Sequence, residues 1–155
     1  MQWTAGRNGG FSEAKASALA APVVEGGFAP EHVNVADQRD DPDSLLSFMS
    51  LLIRRYRQCP ELGWGEFSVL DQPHASVFAH RCTLGDASLV ALHNLGPEPR
   101  TVPLRLAGGV AGRSLVDLLA TTRTPVGDDG TAEIVLDGYG HRWLRVVTPG
   151  DRRLS

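Results

Sequence analysis

The sequence predicts a mainly β protein, an antiparallel β-sandwich preceded by a long loop and one α-helix, on three observations. Residues 1–41 show neither helical nor alternating periodicity, and a helical repeat of apolar residues follows over about 43–57. From Glu66 onward, short β-branched and aromatic runs alternate with turn sequences. No helical crossover separates those runs, which favours antiparallel over parallel pairing.

A stretch of some forty residues without periodicity is unusual inside a self-sufficient domain and reads as a loop separated from its support, expected to be mobile or displaced. The run from Ala14 to Ala21 has room for a turn or two of helix before Pro22 and Gly26-Gly27 close it. The helix that follows has its start signals in Asp40 or Asp41 as cap, Pro42 in the first turn and Asp43 near the positive end of the dipole. Leu45, Phe48 or Met49, Leu52 and Tyr56 recur at helical spacing, and Leu46 and Ile53 widen the apolar arc beyond what one interface covers. Such a helix is expected to leave apolar surface exposed and to allow self-association. Arg54, Arg55 and Arg57 suit its negative end, and Cys59-Pro60 is expected to stop it before the turn-rich ELGWG.

Seven strands are expected: 67–70, 77–83, 88–94, 101–106, 114–118, 132–136 and 142–147. Leu84-Gly85-Asp86, Gly96-Pro97-Glu98-Pro99, Gly127-Asp128-Asp129-Gly130 and Asp137-Gly138-Tyr139-Gly140 supply reversals between them. The expected division is residues 1–62 for loop and helix and 63–155 for the β domain.

The totals narrow the function. Fifteen basic and 18 acidic residues give a net charge of −3 without clustering, so no footprint for nucleic acid or an anionic membrane surface is present. No apolar run approaches a membrane span and residues 1–15 lack the centre of a signal peptide, so a cytoplasmic protein is expected. Cys59 and Cys82 lack a C-x-x-C arrangement and read as buried free thiols.

Catalytic chemistry is hard to place on this chain. Asp40, Asp41 and Asp43 belong to a helix start and Asp128 and Asp129 to a turn, whereas acid/base work needs two carboxylates held across a cleft. No G-x-S-x-G elbow presents a nucleophile. Alternation puts His80 and Cys82 on one strand face with His93 within reach on the next strand, but a fourth ligand is missing, so neither metal nor cofactor is expected. The glycines of GRNGGFS permit a tightly folded loop rather than a phosphate cradle, since no G-K-[ST] follows. Arg7 and Asn8 can donate hydrogen bonds to sugar hydroxyls or to neighbouring loops, and Trp3 and Phe11 can stack on a sugar or anchor the loop.

The wording of that loop is informative in itself. MQWTAGRNGGFS, residues 1–12, resembles a segment of trehalose synthases and related α-glucosidases of the α-amylase superfamily, where it follows the eighth strand of the catalytic (β/α)8 barrel. VNVADQRDDPDSLLSFMSLLIRRYRQCPELGWGEF, residues 33–67, is similar to the stretch leading through the last barrel helix into the C-terminal β domain. SLVDLLA and GYGHRWLRV resemble strands of that domain, with His141 where an aromatic is usual.

The resemblance implies a non-catalytic C-terminal piece of a larger enzyme: the end of the barrel, then an α-amylase C-terminal-type sandwich. The family's nucleophile, acid/base and stabilising carboxylates belong to barrel strands that would precede Met1, so no catalytic residue carries over. Met1 coincides with the methionine of the loop motif, as expected of a truncation, a split gene or a misplaced start. The implied partner is the catalytic barrel, the implied substrate an α-glucoside such as maltose, and the residues placed nearest sugar are Gln2, Trp3, Arg7 and Asn8. A sibling α-glucosidase or amylase-like hydrolase, a stand-alone glycan- or protein-binding sandwich and a non-functional remnant are the other readings. Burial of Trp64 and Trp143 would leave no aromatic platform for the binding module.

Overall fold

A computed structural model describes residues 2–106, 112–120 and 122–148; Met1 lies outside them. The chain divides into two compact units, Met1–Arg54 and Arg55–Ser155.

In the first unit, residues read as an irregular loop hold three single 3-10 turns, Arg7–Gly10, Ala16–Ala18 and Gly26–Phe28, and a short helix α1, Val35–Asp40. Helix α1 was not legible as periodicity because six residues hardly complete two turns, but its start is firmly made. Asn34 caps it by accepting from the Asp37 N–H at 3.0 Å, and its amide donates to the Pro30 carbonyl and the Asp37 carboxylate. The N–H groups of Val35 and Ala36, which have no partner within a helix, donate to the carbonyls of Gln2 and Trp3 at 2.9 and 3.0 Å.

Helix α2, Leu45–Arg57, forms where expected, but its cap is different. Ser44, buried, accepts from the Ser47 N–H, and the Gln38 side chain accepts from the Leu46 N–H. Asp40 closes α1, and Asp41 accepts from the Asp43 N–H in a turn. The aspartates were therefore the wrong cap, because a second helix had already used them. Leu45, Met49 and Ile53, at i, i+4 and i+8, are exposed along one side of α2.

In the second unit, Pro60 does not end the structure. It opens a third helix, α3, Pro60–Trp64, where its missing N–H costs nothing at the first helical position. Eight strands follow among the described residues: β1 Glu66–Val69, β2 Val77–Leu84, β3 Ala87–Asn94, β4 Arg100–Arg105, β5 Ser114–Asp117, β6 Arg123–Pro125, β7 Thr131–Leu136 and β8 His141–Val147. All pair antiparallel, in a six-stranded sheet of order β1-β2-β3-β8-β5-β6 and a two-stranded sheet β4-β7. Seven strands were expected. The eighth, β6, is three residues long at the sheet edge and contains Pro125, which edge positions tolerate.

The main core lies between the sheets. Val90, Leu92, Leu115 and Leu144 from the large sheet meet Val102, Leu104, Ile134 and Leu136 from the small one. Alternation along β4 and β7 turns every second residue inward, as a sheet solvated on one side requires. The opposite face of the large sheet carries a smaller cluster in which Cys59 packs with Leu89, Ala91 and Leu118, joined by Leu62 and Trp143. Here α3 is held by an ion pair between Arg145 and Glu61 at 3.1 Å. Among the described residues, no helix is long and apolar enough to cross a membrane.

Candidate functional site

The N-terminal loop is built around a left-handed turn. Asn8 and Gly9 adopt φ of 53° and 64°, and the Gly9 carbonyl accepts from the Trp3 N–H at 2.7 Å. Asparagine tolerates this conformation better than most residues, and here its amide also donates to the carbonyls of Ser12 and Ala14 at 2.6 and 2.9 Å. Gly10, at φ 75°, leaves no room for a Cβ against the Thr4 hydroxyl. These glycines shape a closed loop.

The four residues proposed to lie nearest sugar differ in what they are free to do. The Gln2 amide donates to the Phe28 carbonyl at 2.5 Å, and both Asn8 N–H donors are used within the loop. Trp3 is 46% exposed and meets Phe11 edge-on, with ring centroids 6.4 Å apart. Arg7 is exposed and makes no hydrogen bond or ion pair with the described residues. Trp3 also borders an open groove of about 980 Å³ lined by Arg39, Asp43, Phe48, Leu51 and Arg54. Arg54 was read in the sequence as a helix-end charge, and α1, which the sequence did not reveal, brings Arg39 to the same groove.

The carboxylates do not assemble a catalytic pair among the described residues. Asp129, exposed in its turn, is held below the usual carboxylate range by the Thr131 hydroxyl and N–H. Asp117 is buried, with one oxygen accepting from the Leu119 N–H and the other 3.4 Å from Arg142. Glu61 is taken by Arg145.

His80 and His93 do come together, with ring centroids 6.2 Å apart and planes 8° from parallel. Burial lowers the pKa of both, and burial raises the pKa of the Cys59 and Cys82 thiols. Both cysteines are free and buried. Among the described residues, no group of three or more His, Cys, Asp or Glu is placed to hold a metal ion. Of the two tryptophans that bear on an aromatic platform, Trp143 is half-buried in the smaller cluster, whereas Trp64 is 84% exposed.

Comparison with known proteins agrees with this architecture. Residues 87–145, from β3 into β8, match the family described as sucrose hydrolase-like, C-terminal domain. The trehalose synthase of Pimelobacter sp. is 30% identical over 96% of this chain and 27% of its own length. The trehalose synthase/amylase TreS of Mycobacterium tuberculosis is 30% identical over 96% of the chain and 25% of its own. The chain thus spans about a quarter of the curated relatives it matches. In structure it is similar to the trehalulose synthase MutB of Pseudomonas mesoacidophila, with a TM-score of 0.65 and 23% identity over 94% of this chain and 24% of that one. Family model, relatives and fold agree with the loop and strand motifs: the chain carries a sucrose hydrolase-like C-terminal domain over residues 87–145 and is similar along nearly its whole length to a quarter of two trehalose synthases.

Proposed function

We propose that this chain is the non-catalytic C-terminal part of an α-amylase-superfamily enzyme, and that it supports a catalytic barrel and lends it a rim loop. The observation that carries the reading is the match along 96% of the chain to a quarter of two trehalose synthases. The engagement of Asp117, Asp129 and Glu61 in local structure supports the non-catalytic role. The parent reaction is interconversion of maltose and trehalose by retaining double displacement at carboxylates of the barrel. Gln2 and Asn8 hold the loop in shape while Trp3 and Arg7 meet the α-glucoside, Arg7 by donating to hydroxyls and Trp3 by stacking.

The test joins the chain to its natural upstream barrel and follows maltose by NMR. Trehalose should accumulate, and Arg7→Ala should lower kcat/KM by about tenfold, the loss of one charge-assisted hydrogen bond. Unchanged kinetics with lowered stability would make Arg7 structural. Turnover by the chain alone, abolished by replacing one of its own carboxylates, would refute the proposal.

A second reading is a sibling hydrolase. The salivary alpha-glucosidase of Anopheles gambiae is 36% identical over 67% of the chain, and His141 departs from the aromatic usual in trehalose synthases. Glucose without trehalose in the same experiment would select it.

A further inference from the structure

Away from the loop, the fold gathers three histidines. His80 on β2, His93 on β3 and His141 on β8 come from three successive strands of the large sheet, and its register puts them on one face. His93 pairs directly with His141, and Phe78, two residues before His80, pairs with His93. Phe67 and Phe78 flank the His80 ring at 5.1 and 5.4 Å. The Nδ1 atom of His80 is buried with no hydrogen-bond partner.

Among the described residues, the strands around His80 and His93 offer an imidazolium no free anion. On the same face β1 presents Phe67 and Val69, β2 adds Cys82, and β3 adds Leu89 and Ala91. From β8 and α3 come Arg145 and Glu61, already paired with each other, and Cys59 beside them is a neutral thiol. A proton arriving on His80 or His93 therefore meets aromatic rings, a neighbouring imidazole and no unpaired carboxylate from these elements.

We propose that His80, His93 and His141 form an acid-sensitive element that loosens the outer face of the sandwich as the surroundings turn acidic. Burial disfavours the charged form of His80, and for His93 the charges of His80 and His141 add to burial in the same direction. The folded pKa values thus lie below the unfolded value of about 6.5. Between the two, the unfolded chain binds more protons, so stability is intact above about pH 6.5 and falls as pH drops through the folded values. Each unit of depression on one histidine raises the unfolding equilibrium constant about tenfold over that window.

The experiment uses the unaltered chain and His93→Phe, which keeps a ring and removes the central charge. NMR titration of the chain should show His93 protonating on the acidic side of an ordinary histidine, with inflections shared by its neighbours. The melting temperature should fall between pH 7 and pH 5, and His93→Phe should lose markedly less. Ordinary titration of His80 and His93 would overturn the proposal, and so would an acid loss in His93→Phe equal to the parent's. If His93→Phe does not fold, His80→Phe replaces it with the same expectation, and the titration of the unaltered chain decides independently.

Discussion

Arg145 on β8 and Glu61 on α3 meet at 3.1 Å with both side chains nearly out of water, and the same guanidinium nitrogen donates to the Gln58 carbonyl at 3.0 Å. Removing one partner strands a buried charge, whereas replacing both by apolar groups removes the need for compensation. Glu61→Ala should therefore cost about 3–5 kcal/mol. Glu61→Leu combined with Arg145→Met should recover most of that. Urea denaturation of the single and double variants measures both, and an equally large loss in the double variant would show that the pair itself holds α3 to the sheet.

Gly138 is tied to a second long-range contact. A Cβ there would run into the carbonyl of Pro97, in the turn where Gly96 accepts from the Tyr139 N–H, while Asn94 donates to the carbonyls of Glu98 and Asp137. Gly138→Ala must separate two turns that three hydrogen bonds hold together, so it should lose about 3 kcal/mol. Gly27→Ala, where a Cβ meets nothing within 4 Å, should stay within about 0.5 kcal/mol of the parent. Thermal unfolding of the pair distinguishes a steric cause from a general intolerance of substitution.

Asn8 combines a left-handed backbone with two hydrogen bonds to Ser12 and Ala14. Asn8→Gly keeps the backbone option and loses the bonds; Asn8→Ala loses both. Hydrogen exchange across residues 3–14 should rise for each, more for alanine, by about 1 kcal/mol of local opening free energy per lost feature. Equal protection in Asn8→Ala and the parent would mean that the glycines alone hold the loop.

Chelation should leave the melting temperature unchanged, because His80, Cys82 and His93 do not complete a four-ligand site. A stoichiometric metal found by elemental analysis, with loss of stability on its removal, would contradict this.

The parts of the fold legible in the sequence are those where periodicity and turn chemistry agree. Strands β2, β3, β7 and β8 fall within a residue or so of expectation because alternating apolar residues end at glycine-rich turns. β6 escaped because three residues cannot show a period, and α3 because Pro60 reads equally as the end of one helix and the start of the next. The approach of His80 to His93 follows from adjacent strands, but His141 joins them only because β8 inserts beside β3, a pairing between strands far apart in the chain. The same distance hid the Arg145–Glu61 pair, whose partners are 84 residues apart. In the loop, the glycines announced a tight turn, whereas the use of the Gln2 and Asn8 amides depends on carbonyl positions that no motif encodes.

That β8 lies between β3 and β5 sets the order of events when the chain is made. The strands β1-β2-β3 can zip as each emerges, and β5 can find β6, but among the described residues these two halves of the large sheet are bridged only when β8 arrives. A ribosome that stalls anywhere before His141 leaves two open sheet edges facing each other across an empty slot, the kind of surface that recruits strands from other nascent chains. The large sheet is thus joined only once β8 has been made, and a nonsense codon even a few positions short of Val147 should yield an aggregate rather than a slightly shorter protein.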